Sequence, residues 1–166
     1  MKTALEKLLA STPPDLGPGP RTGVQSEKEI RQALAPESDL LVALVLLWHD
    51  HHEPAHGIAQ EIENADGSYV HAILHRREPD YWNSKYWFRR VGTHPAYAEL
   101  GRRVGEFLES RGERSLAAKL MPGGRWDAMG FVDAVEAAKD SGERAALLKE
   151  VQRIEFETLA DYLSDG

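Results

Sequence analysis

Apolar positions recur every three or four residues along most of this chain, the spacing of helices that bury one face. Ala4, Leu5, Leu8 and Leu9 make a first short face. Ser26 and Glu29 have the spacing of a capping box and open a helix with Ile30 and Leu34 on one side, which should end before Pro36. From Leu40 to Trp48 nine residues are apolar without interruption. A bilayer span needs about 20, so this run predicts a helix buried inside a protein. Towards the end of the chain Leu147, Leu148, Val151, Ile154, Leu159, Tyr162 and Leu163 keep helical spacing.

Proline and glycine divide the pattern. Pro36, Pro54, Pro79 and Pro95 stand where new helices begin, and a first-turn proline lacks only an N–H that had no partner there. Breaks at Asp66-Gly67, Gly92, Gly112 and Pro122-Gly123-Gly124 complete the division. The helices expected after Pro36 cover residues 37–52, 54–64, 67–78, 80–91, 95–111, 113–121, 127–140 and 142–163. Only Lys85 to Val91 would also suit a strand, but a lone strand has no partner, so helix or irregular chain is expected there. The expectation is a mainly α fold, a single-domain bundle of about seven to nine short helices over residues 1–166. Thr12 to Gly23, with four prolines and three glycines in twelve residues, reads as a linker or surface loop outside it.

Composition narrows the function classes. At 166 residues the chain matches one domain of about 150. It contains no cysteine, which excludes disulfides, thiolate metal sites and cysteine nucleophiles. A net charge of −7 argues against nucleic acid or an anionic membrane as partner. Glu6 and Lys7 interrupt the first apolar stretch, so no export signal is read and a cytoplasmic protein is expected. No glycine-rich phosphate loop, nucleophile elbow or dinucleotide fingerprint occurs.

The chemistry concentrates in one place. All seven histidines (His49, His51, His52, His56, His71, His75 and His94) fall within 46 residues, with Tyr69, Tyr81, Trp82, Tyr86 and Trp87 among them and Trp48 beside them. From His71 to Arg103 seven bases face three acids, a local balance of +4 against −11 in the rest of the chain. On a helix, His71, His75 and Glu78 stand at i, i+4 and i+7 and share a face, and His56, Gln60 and Glu63 repeat the spacing on the preceding helix. Two such helices packed together would converge nitrogen and oxygen ligands, with His49 and His52 at i, i+3 as further donors. His51 and Asp50 are expected to face water at a helix end. Imidazole and carboxylate ligands suit zinc, iron, nickel or manganese.

Residues 71–95, with His75-Arg76-Arg77-Glu78-Pro79-Asp80 and Tyr86-Trp87-Phe88-Arg89-Arg90, resemble a stretch found in a group of bacterial and fungal proteins. The resemblance runs from Trp48 through Pro95 and implies that this segment forms a unit. It brings no activity and no role for any residue.

Two function classes follow. The first is a metal-assisted hydrolase or related enzyme acting on a small anionic substrate. Its divalent metal, zinc or iron, would be held by His52, His56, His71, His75 and Glu78. His75, Glu78 and Glu53 would act in catalysis, and Arg76, Arg77, Arg89, Arg90, Trp82 and Tyr86 would hold the substrate in one pocket. The second is a non-catalytic module that binds an anionic small ligand or a partner protein through the same segment.

Overall fold

The computed structural model describes residues 2–165, which form ten α-helices, one 3-10 turn at Pro122–Gly124 and no strand. The helices are α1 (Lys2–Leu9), α2 (Glu27–Ala33), α3 (Asp39–Trp48), α4 (His52–Ala59) and α5 (Ala65–Arg77), then α6 (Tyr81–Val91), α7 (Tyr97–Ser110), α8 (Arg114–Leu120), α9 (Ala128–Ala138) and α10 (Gly142–Asp165). The mainly α expectation holds. Ten helices among the described residues agree with the bundle expected, and the longest is α10, at 24 residues. Lys85 to Val91 is helical throughout.

Helix α3 is the centre. Ser38 caps it by accepting the Leu41 N–H, and every residue from Leu40 to Trp48 is buried. A helix apolar on all sides needs neighbours on all sides, and α1, α2, α4, α5 and α10 all pack against it. The edge of Trp48 meets Phe156 of α10, with ring centroids 5.6 Å apart. No helix among the described residues is long and apolar enough to cross a membrane.

Two turns place α4, α5 and α6 side by side. Between α4 and α5, the Asn64 side chain accepts the Gly67 N–H at 2.8 Å. A Cβ on Gly67 would lie 1.9 Å from the Ile62 carbonyl oxygen, so only glycine lets the chain double back so tightly. Between α5 and α6, Asp80 caps the new helix and the Ser84 hydroxyl donates to the Ala72 carbonyl at 2.8 Å. That bond fastens α6 along α5.

Thr12 to Gly23 is irregular, as expected, yet it is not merely an outside loop. Leu16 is buried in the core. The Arg77 guanidinium donates to the Asp15, Gly17 and Leu47 carbonyls and pairs with Asp50 at 2.6 Å. Arg21 pairs with the other Asp50 oxygen at 2.8 Å and donates to the Thr12, Pro13 and Trp48 carbonyls. The segment is a strap tied down by two arginines around one carboxylate.

Candidate metal centre

Three of the seven histidines converge. His56 on α4 and His71 and His75 on α5 each offer a ring nitrogen, and the three nitrogens lie within 4.8 Å of one another. Imidazoles four residues apart share a helix face, and the rings of His71 and His75 stack at 4.9 Å. His56 comes edge-on from α4, its ring 4.7 Å from His71 and 5.8 Å from His75. In a tetrahedral site with metal–nitrogen bonds of ~2.1 Å, ligand nitrogens stand ~3.4 Å apart, so closure needs an inward swing of about 1 Å.

The surroundings fix ring orientation and charge. Trp87 of α6 stacks on His71 with centroids 3.9 Å apart and planes 14° from parallel. Burial, reinforced by the neighbouring His75 and His56, pushes the His71 pKa down to about 4. Burial also lowers the pKa of His75, against the opposing pull of Glu78 and Asp80. At neutral pH His71 and His75 therefore keep lone pairs on uncharged rings, the form that binds metal. No ring nitrogen of His56, His71 or His75 is bonded to a backbone carbonyl among the described residues, unlike those of His49, His51 and His52. Nδ1 of His75 is 3.2 Å from Glu78 Oε1.

The remaining expected site residues are distributed differently. Glu78 caps the end of α5, half exposed beside His75, within reach of anything bound there. Glu53 stands exposed on the first turn of α4. His52 is not part of the cluster: its Nε2–H donates to the Pro18 carbonyl at 2.9 Å, holding the strap. His49 and His51 are used the same way, against the Leu8 and Gln25 carbonyls. Asp50, expected in water, is buried between Arg77 and Arg21. Gln60 and Glu63 are exposed beyond the end of α4 and do not join His56.

Of the four expected substrate arginines, Arg76 and Arg77 are taken up by the fold, and only Arg89 and Arg90 stand with Trp82 and Tyr86. Arg76 and Arg77 are both fully buried. Arg76 pairs with Glu155 of α10 at 2.6 Å, donates to Gln152 and lies 4.5 Å from the Phe131 ring centre. Its partner carboxylate also accepts from the Tyr69 hydroxyl at 3.3 Å. An arginine at this depth is held by ion pairing and hydrogen bonds and is closed to a ligand. Arg89 and Arg90 are exposed on α6 together with Trp82 and Tyr86. A cavity of about 650 Å³ opens elsewhere, beside Phe88, His94, Tyr97 and Trp126.

Two signals in the sequence bear on these placements. Gln152 and Glu155 occupy core-facing positions of α10, between Val151 and Phe156, and a polar pair there announces a buried partner such as Arg76. Trp87 follows Tyr86 on α6, so one aromatic turns inward to His71 while the other turns out. No family model, no curated protein and no solved structure matches this chain.

Proposed function

We propose that this protein binds one divalent transition-metal ion through His56, His71 and His75 and uses it to hydrolyse a small anionic substrate. The observation that carries this reading is three ring nitrogens within 4.8 Å of one another, none of them bonded to a backbone carbonyl among the described residues. Structural histidines are normally hydrogen-bonded; a cluster without such backbone partners is an available ligand set. Three protein ligands leave a position for water, whose pKa a bound zinc ion lowers towards 7.

Glu78 is the general base of this scheme. A metal held by His56, His71 and His75 would acidify a water, and Glu78 would take the proton from that water as its oxygen attacks the electrophilic centre of the substrate. The bond to the leaving group breaks, and Glu78 returns the proton to the departing oxygen or nitrogen. Of the other candidate base, Glu53, the chain offers only an exposed carboxylate on the first turn of α4. His52, Arg76 and Arg77 have no part in the chemistry, because the fold has already used them.

The test is elemental analysis of tag-free protein after incubation with zinc, iron(II), nickel or manganese and removal of excess. One ion per chain is expected for one of these metals, lost in His71→Ala and His75→Ala and kept in His52→Ala. A protein that retains no ion, or variants that retain the full complement, overturn the reading. Zinc-loaded protein should also hydrolyse a phosphate or carboxylate ester, with the rate falling in Glu78→Gln while metal content is unchanged.

A further inference from the structure

Helix α6 presents an outward face next to the three histidines that the fold does not use. Trp82 is 75% exposed and Tyr86 39%, the only large hydrophobic side chains so exposed among the described residues. They lie one helical turn apart, and their rings are near-parallel, 15° between planes, with centroids 6.4 Å apart. At that distance the two rings cover little of each other. A planar ring touching both faces needs about 7 Å between them, twice a van der Waals contact. One further turn along the same face the Arg90 guanidinium lies 5.9 Å from the Tyr86 ring centre and 5.4 Å from that of Trp87. Trp87 is the indole that stacks on His71.

The charge on this face is one-sided. Helix α6 carries Lys85, Arg89 and Arg90 and no acid. Lys85 is occupied by Asp133 of α9, whereas Arg89 and Arg90 pair with no carboxylate among the described residues. Of the other eleven arginines, seven are paired with an acid among the described residues and four, Arg111, Arg114, Arg125 and Arg144, are not. Two unpaired guanidiniums at the end of an aromatic ladder match an anion attached to a planar ring, the arginines holding the anion by paired hydrogen bonds. Trp82 to Arg90 spans eight residues, or about 12 Å along the axis, the scale of a small molecule. The acidity of the whole chain disfavours a nucleic-acid strand as the occupant.

We infer that Trp82, Tyr86, Arg89 and Arg90 form a recognition ladder for a small planar aromatic phosphate, with the ring on Trp82 and Tyr86 and the phosphate on the arginines. This names a ligand class for the site proposed above. It rests on that reading only in sharing α6, whose Trp87 stacks on His71; the ladder needs no ion to bind its ligand.

The experiment is titration of metal-free and zinc-loaded protein with adenosine 5′-monophosphate, adenosine, ribose 5-phosphate and a thymidine oligonucleotide, followed by calorimetry and tryptophan fluorescence. Adenosine 5′-monophosphate is expected to bind at least tenfold more tightly than adenosine or ribose 5-phosphate. Trp82→Ala and Arg90→Ala should each weaken it about tenfold or more, without changing zinc content. Trp82 is so exposed that its loss leaves the fold intact, which keeps the test valid if Arg90→Ala proves unstable. Equal binding of ribose 5-phosphate, or unchanged binding in Trp82→Ala, overturns the inference. Tightest binding by the oligonucleotide, with a steep salt dependence, replaces it with single-strand recognition. If no metal binds but the nucleotide still does, the ladder stands and the metal reading falls. If metal binds and the nucleotide does not, the ladder alone is lost.

Discussion

His49, His51 and His52 differ from His56, His71 and His75 in what their nitrogens touch, although the two sets are neighbours in sequence and identical in chemistry. In the first set each ring is bonded to a backbone carbonyl of the N-terminal segment, at Leu8, Gln25 and Pro18. In the second set no ring nitrogen has such a partner, and three of them meet. The arginines repeat the contrast: Arg76 and Arg77 are spent inside the protein, and Arg89 and Arg90 are not. Function is left to the groups the fold has not satisfied.

The largest effect expected on the satisfied side is that of Arg77→Leu. It leaves Asp50 with only Arg21 as a charged partner and strips hydrogen bonds from three carbonyls, at a cost of about 3–5 kcal/mol in urea or thermal unfolding. A loss below about 1 kcal/mol would mean that the strap is not held as described. On the unsatisfied side, zinc at a hundred times its dissociation constant should stabilise the protein by about 2.7 kcal/mol. That increment should vanish in His71→Ala and persist in His52→Ala; the reverse pattern would move the site.

The strap histidines also set a pH dependence. Burial, with Arg77 nearby, pushes the His52 pKa down from the usual 6.5 to about 4, and burial lowers that of His49 in the same direction. Between these values the unfolded chain takes up protons that the folded protein refuses. Stability is therefore fully present above about pH 6.5 and falls as pH drops towards 4, by on the order of 2 kcal/mol for His52 once partial exposure is allowed for. His52→Gln should flatten that part of the profile in denaturation experiments across pH 4–7. The smallest effect on stability is expected for Trp82→Ala, within about 0.5 kcal/mol, because the side chain packs against little. A much larger loss would show that the exposed ladder serves the fold.

The helices were legible because periodicity, proline and capping residues agree locally, as at Ser26 with Glu29, where both bonds of the capping box form. The shared face of His71 and His75 followed from spacing alone. That His56, and not His52, joins them did not. Both are on α4, and the choice depends on the Gly67 turn and on a carbonyl at Pro18, 34 residues earlier. The fate of the paired arginines was equally hidden. Arg76 meets Glu155 across 79 residues of sequence, and local charge counting treats a buried ion pair and a ligand clamp alike.

The bond from Gln152 to the carbonyls of Pro14 and Asp15 ties α10 to the strap across 138 and 137 residues. During synthesis the apolar run of α3 leaves the ribosome about a hundred residues before the helix that covers one of its sides, at translation rates of ~5–20 residues per second. For those seconds the most hydrophobic stretch of the chain must be shielded by partial collapse or by a chaperone. A chain ending before Gly142 should therefore aggregate when expressed, and supplying α10 as a separate peptide should rescue its solubility.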